Sequence, residues 1–173
     1  MSDAIDLEQY AAGTRSQPIP ESNHYRVRLW DGDGFDEKRI LSDPMPTGRQ
    51  VLELFERNPA EDYVLLMLTR DDGLIVVDLT ETIDIRASGA ERFFAFKTDR
   101  IWNWSIDGKR YAWGARRISE DLVRLIGRIP ETKALFLERS DEPDEEIAPG
   151  ASIDLGGREL EKLYSKPRSW KLN

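Results

Sequence analysis

The chain has 173 residues, somewhat more than the roughly 150 of a common single domain, and 39% of them are hydrophobic, enough for packed cores. It has no cysteine, which excludes disulfides, thiolate metal sites and any thiol nucleophile. Its net charge of −8 argues against non-specific nucleic-acid binding, which needs lysine and arginine to displace counterions.

Residues 1–23 are poor in hydrophobics and include "RSQPIPESN", a composition that predicts a flexible N-terminal tail. The opening "MSDAIDLEQY" lacks the basic region and apolar stretch of a signal peptide. The longest apolar run, Tyr63–Leu68, is strand-sized and too short to span a membrane. A cytoplasmic location without a membrane partner is the expectation.

After the tail the chain says the same thing twice, Tyr25–Lys97 and then Trp102–Pro167. An alternating strand opens each half, with Tyr25, Val27 and Leu29 on one face and then Trp102, Trp104 and Ile106. "DGDG" (31–34) and "DG" (107–108) read as hairpin turns, since glycine supplies the positive φ they need. Second strands are expected near Phe35–Leu41 and Arg110–Ala115.

Helical spacing follows in both halves. Thr47 and Ser119 are fit to be N-caps, because their hydroxyls accept from otherwise unpaired amides of the first turn. Val51, Leu52, Leu54 and Phe55 form one apolar stripe, and Leu122, Val123, Leu125 and Ile126 the other. Glu120 and Asp121 favour a helix start through the dipole. The prolines of "NP" (58–59) and "IP" (129–130) predict where the helices stop. "YVLLML" (63–68) and "ALFL" (134–137) are too uniformly apolar for sheet edges and suit central strands. A polar loop, a triplet (Ile83-Asp84-Ile85, then Ile153-Asp154-Leu155) and a last strand complete each half.

The pattern predicts an α+β architecture in which a mixed sheet curls round one helix, burying the helix stripe and one sheet face together. The join "KTDRIWNW" has no Gly/Ser-rich spacer and predicts a short, stiff linker. The expected organisation is a tail at 1–23, one unit at 24–99, a second at 100–166 and a flexible C-terminal tail at 167–173.

Carried by "YRVRLWDG" and "WNWSIDG", "PTGRQVLEL" and "ISEDLVRL", "NPAEDYVLLM" and "IPETKALFL", and "IDIRASGAERFFAF" and "IDLGGRELEKLY", this order resembles two tandem β-grasp, ubiquitin-like domains. The likeness covers residues 25–173 and is similar to the bacterial multi-ubiquitin-domain family. It also resembles the interferon-induced modifier with two ubiquitin domains. What the resemblance implies is a protein modifier of antiphage conjugation operons. Its partners would be an activating enzyme, a conjugating enzyme, a JAB-type metallopeptidase and a target protein, such as a phage structural protein. It would bind no cofactor, ATP being used by the activating enzyme. The absence of cysteine agrees independently, since the chain cannot carry the enzymes' thioester but can be the acyl group passed along.

A modifier needs a slender C-terminus ending in a reactive carboxylate. Pro167 is expected to end the last strand's pairing by lacking a donor. The predicted conjugation tail is Arg168, Ser169, Trp170, Lys171, Leu172 and Asn173. Lys166, Arg168 and Lys171 would steer it to acidic enzyme surfaces, and Trp170 and Leu172 would anchor in pockets. The likeness departs at Asn173, where modifiers of this kind carry glycine. That leaves open a native sequence continuing to a glycine, a family tolerant of other ends, or a protein that is not conjugated.

Other candidates have plainer readings. "DGDGFDE" (31–37) begins like a calcium loop but has Asp36 and Ser42 where the EF-hand needs glycine and glutamate, so a hairpin turn is the better reading. "DEPDEE" (141–146) and "RDDG" (70–73) read as solvated loops. His24 is the sole histidine, so no His-based triad or multi-His metal site can be assembled. Asp84 and Glu91 recur as Asp154 and Glu161, which points to turn capping rather than catalysis. No catalytic or metal residue is assigned, and the chain is not expected to be an enzyme. Sheet patches around "VLLM" and "LFL" would serve partner binding. A non-covalent tandem adaptor remains the alternative to a conjugated modifier.

Overall fold

The computed structural model describes residues 4–10, 18–71, 73–157 and 160–168, without the side chain of Glu91. The chain divides into two compact units, Met1–Arg100 and Ile101–Asn173.

The first unit contains β1 (Ile5–Asp6), β2 (Tyr25–Trp30), β3 (Asp36–Leu41), α1 (Gly48–Leu54), β4 (Tyr63–Thr69), β5 (Gly73–Val77), α2 (Ile85–Ser88) and β6 (Ala90–Lys97). Its main sheet runs β3-β2-β6-β4-β5, with β2 and β6 parallel and the other neighbours antiparallel. The alternation of β2 turns Tyr25, Val27 and Leu29 inward. They meet Val51, Leu52 and Phe55 of the α1 stripe, all fully buried, together with Leu65, Met67, Phe93 and Ala95. The helix starts where expected. The Thr47 hydroxyl accepts from the Gln50 amide at 3.2 Å, and the Gln50 side chain accepts from the Thr47 amide at 2.8 Å.

The second unit contains β7 (Trp102–Ile106), β8 (Lys109–Trp113), β9 (Arg117–Ser119), α3 (Glu120–Gly127), β10 (Lys133–Leu137), β11 (Glu145–Glu146), β12 (Ser152–Asp154) and β13 (Glu161–Pro167). Its sheet runs β8-β7-β13-β10-β11, again with the first and last long strands parallel, while β9 and β12 pair separately. Trp104, Ile106, Trp113, Val123, Ile126, Leu135 and Leu163 are buried. Position for position the two sheet orders are the same. Mixed sheets with one main helix each fit the α+β β-grasp fold.

The likeness extends to detail. The N-cap Thr47 bridges to Thr82, and the N-cap Ser119 pairs with Ser152. Both triplets act through their aspartates: Asp84 Oδ1 accepts from the Ala87 amide at 3.0 Å, and Asp154 Oδ1 from the Gly156 amide at 2.8 Å. That is the structural duty expected of them. Beyond Asp84, Gly89 has φ 61°, and a Cβ there would lie 2.7 Å from Arg70 Cβ, so glycine alone fits.

Three expectations are corrected. The helices do not run to the prolines. Each ends earlier, on a left-handed residue at φ 57°, Glu56 and Arg128, with the next amide (Arg57 or Ile129) donating back to the Leu52 or Arg124 carbonyl. The second strands are shorter than expected, Asp36–Leu41 and Lys109–Trp113. The N-terminal segment is not a free tail in its described parts. β1 pairs in parallel with β2, Leu7 and Ile19 are buried, and Asp6 and Glu8 reach cations of the first sheet. Low average hydrophobicity concealed two apolar anchors spaced among acids that have partners. Residues 1–3 and 11–17 lie outside the described residues.

Candidate functional site

The site expected from sequence is the chain's far end, and β13 delivers it. Antiparallel to β10, β13 places Leu163 opposite Leu137, Tyr164 opposite Phe136 and Pro167 opposite Lys133. On its other edge it runs parallel to β7 for Glu161–Leu163 only. There the hairpin turn takes over. The Asp107 amide donates to the Leu163 carbonyl at 3.1 Å, and the Asp107 carboxylate accepts from the Ser165 amide at 2.8 Å and hydroxyl at 2.6 Å. One turn aspartate stands in for a further strand.

Pro167 does not end the pairing, contrary to expectation. Amides alternate between the two edges of a strand. Since the Ser165 amide points to Asp107, the position of Pro167 points the same way, towards the edge that β7 no longer lines. Its missing donor therefore costs the β10 side nothing. The Arg168 amide faces β10 and donates to the Thr132 carbonyl at 3.2 Å, and the Arg168 guanidinium donates to the Glu131 carbonyl at 2.7 Å. Of the predicted conjugation tail, Arg168 is thus seated on the loop before β10. Ser169, Trp170, Lys171, Leu172 and Asn173 lie outside the described residues.

The same loop is held from within by α3. Arg124, 6% exposed, donates to the carbonyls of Pro130 and Lys133, both at 2.9 Å, and pairs with Glu120 one turn earlier. Glu120 also accepts from the Gly150 amide at 3.3 Å. Burial alone would raise the Glu120 carboxyl, but the Arg124 and Gly150 hydrogen bonds outweigh it and hold it below the ordinary glutamate value. Sequence reasoning missed this pair. Its signal was the Glu-to-Arg spacing of four on one helix.

The outward face of β10 and β13 carries a stacked pair, Phe136 and Tyr164, with ring centroids 5.3 Å apart. Lys166 Nζ lies 5.2 Å from the Tyr164 ring and 5.9 Å from that of Phe136. The Tyr164 hydroxyl donates to Asp144 at 2.5 Å, which raises the phenol and lowers the Asp144 carboxyl from their ordinary values. Of the two expected partner patches, "LFL" thus shows Phe136 half-exposed. In "VLLM", Leu65, Leu66 and Met67 are buried and Val64 is half-buried.

Among the described residues no group of three or more His, Asp or Glu side chains is placed to hold a metal ion. Among the described residues no helix is long and apolar enough to cross a membrane. The first acid of "DGDG" serves its turn, Asp31 Oδ1 accepting from the amides of Asp33 and Phe35.

A sheet with parallel first and last strands, repeated twice, is the geometry against which comparison with known proteins is informative. Residues 36–98 match the model of the Multiubiquitin family. The match runs from β3 to the end of β6 and supports ubiquitin-like character for the first unit; ubiquitin-like domains are generally modifiers or adaptors. No curated protein matches the chain.

Proposed function

We propose that the chain is a ubiquitin-like protein modifier, activated at its C-terminus and joined to target proteins. The observation that carries this reading is the path of β13. A strand held on both edges as far as Ser165 hands over, at Arg168, to a basic and aromatic segment. The Multiubiquitin match over 36–98 supports it.

In this reading the terminal carboxylate attacks the α-phosphorus of ATP on an activating enzyme, releasing pyrophosphate. The resulting acyl adenylate passes its acyl group to the enzyme's thiolate with loss of AMP, then to the thiolate of a conjugating enzyme. A target amine attacks that thioester, forming an amide and freeing the thiol. A JAB-type metallopeptidase reverses or trims the product, and phage structural proteins are the proposed targets, in the cytoplasm. In this reading the chain's own part is to present folded units for docking and its C-terminal carboxylate for activation. Arg168, Lys166 and Lys171 supply positive charge for docking.

Incubating the native protein with its activating and conjugating enzymes, ATP and magnesium tests this. Adducts heavier by one modifier mass, stable to denaturant and thiol, are expected, and their absence contradicts the proposal.

A second reading, a non-covalent tandem adaptor, draws on the stacked Phe136–Tyr164 face. It expects partner binding to survive removal of residues 169–173, whereas the modifier reading expects function to be lost.

A further inference from the structure

The outer strands of the two larger sheets differ in what they show to solvent. In the second unit β8 carries Lys109 and Arg110, and β11 is Glu145 and Glu146, all four exposed. In the first unit β3 carries Asp36, Glu37, Lys38 and Arg39. Charge of this kind is the ordinary protection of a sheet edge against further strands. β5 closes the other end of the first sheet with Gly73, Leu74, Ile75, Val76 and Val77, and has neither charge nor proline.

Register shows where the two units part. Tyr63 opposite Lys97 is matched by Lys133 opposite Pro167, and Met67 opposite Phe93 by Leu137 opposite Leu163. The same spacing carries the triplet Ile83-Asp84-Ile85 onto Ile153-Asp154-Leu155. Ile75 opposite Met67 and Val76 opposite Leu66 then correspond to Glu145 opposite Leu137 and Glu146 opposite Phe136. The first unit thus presents two β-branched side chains, 38% and 39% exposed, where the second presents two carboxylates. Successive strand residues point to opposite faces, so the edge is apolar on both.

The two ends of this strand are acidic. Asp71 and Asp78 are exposed, and Glu81 is close enough for its Oε2 to accept from the Asp78 amide at 3.2 Å. Arg70, the base of the turn, lies against Gly89, just before β6 and thus on the far side of β4. Pairing with a second copy of β5 would set acid against acid at both ends, which disfavours that occupant.

We propose that β5 is a docking edge for an extended segment of a partner protein, β-branched and apolar in the middle and basic at both ends. The segment adds as a strand of about five residues beside Leu74–Val77, a common strand length. Its apolar side chains cover Ile75 and Val76, and its lysines or arginines meet Asp71 and Asp78. Backbone pairing supplies affinity and the side chains supply selection, as in other strand additions. This docking does not depend on conjugation at the C-terminus.

A fluorescent peptide of the sequence Lys-Val-Thr-Ile-Thr-Val-Lys, titrated into the full chain, tests the site. Saturable one-to-one binding is expected, weakened about tenfold or more by Ile75→Glu combined with Val76→Glu. Both side chains are exposed and glutamate stands at both matching positions of the second unit, so the variant should fold, as circular dichroism checks. On the unaltered chain, a peptide with Glu in place of both Lys should bind about tenfold more weakly. Asp71→Lys with Asp78→Lys should reverse that preference. Amide shifts on binding should centre on Leu74–Val77. Three results overturn the proposal. The first is no saturation up to about 1 mM. The second is binding that the glutamate pair leaves unchanged, or shifts centred on another strand. The third is a dimer without peptide that the glutamate pair dissolves, which would make a second copy the occupant.

Discussion

Asp107 accepts both the amide and the hydroxyl of Ser165, at 2.8 and 2.6 Å, fifty-eight positions away in sequence. This contact ends the two-sided support of the last strand, and among the described residues beyond it Lys166 and Pro167 pair with β10 and the Arg168 amide donates to the Thr132 carbonyl. Asp107→Ala removes both bonds. A loss of about 1–3 kcal/mol from the second unit is expected in urea unfolding, with faster hydrogen exchange at the Ser165 amide. Asp107→Asn should cost less, because asparagine keeps an acceptor and tolerates the residue's φ of 50°.

Leu7 is 1% exposed, in a segment whose composition reads as a tail. Leu7→Ala should destabilise the first unit by about 2–4 kcal/mol in denaturant unfolding. An effect below about 0.5 kcal/mol, the usual surface value, would mean that the segment is not docked in solution.

Arg124 and Glu120 are a buried pair, with side chains 6% and 4% exposed. Removing only the arginine strands a buried carboxylate, and Arg124→Met should cost about 3–5 kcal/mol. The double variant Arg124→Met with Glu120→Leu should recover part of that loss. The sign of the pH dependence follows from the lowered Glu120 carboxyl. A depressed carboxyl binds its proton more readily in the unfolded chain, so its contribution is present above the ordinary glutamate value. It fades as pH falls through the lowered folded value. Acid titration of the second unit's stability, wild type against double variant, isolates it.

Tyr164 and Asp144 offer a spectroscopic readout on the exposed sheet face. The hydrogen bond raises the phenol, so the contact is intact below the ordinary tyrosine value and is lost as pH rises through the raised one. Asp144→Asn should bring one tyrosine back down in an absorbance titration, and Tyr164→Phe should remove that titration altogether.

Much of the fold was legible because the sequence states it twice. Thr47 and Ser119 cap their helices, Val51, Leu52, Phe55, Val123 and Ile126 of the helix stripes are buried, and the aspartates of both Ile-Asp triplets cap turns, as expected. The illegible parts depend on partners distant in sequence. Nothing near Asp107 announces that it will hold Ser165, and nothing in "DAIDLEQY" announces that Asp6 and Glu8 will face Lys38 and Arg28. Pro167 misled because its effect depends on which edge its missing donor faces, a matter of register rather than residue type. The helix ends misled because the left-handed position is filled by Glu56 or Arg128, residue types that do not announce a positive φ, two or three residues before the proline.

The proposed modifier function requires the chain's C-terminal carboxyl to become an amide to another protein. Mass spectrometry of digested reaction products, from the native protein with its activating and conjugating enzymes and ATP, reads this bond directly. A branched peptide joining the modifier's own C-terminal residues to a lysine of a second protein is the expected result. Recovery of the C-terminal peptide only with a free carboxylate, under conditions where the activating enzyme turns over ATP, would contradict it.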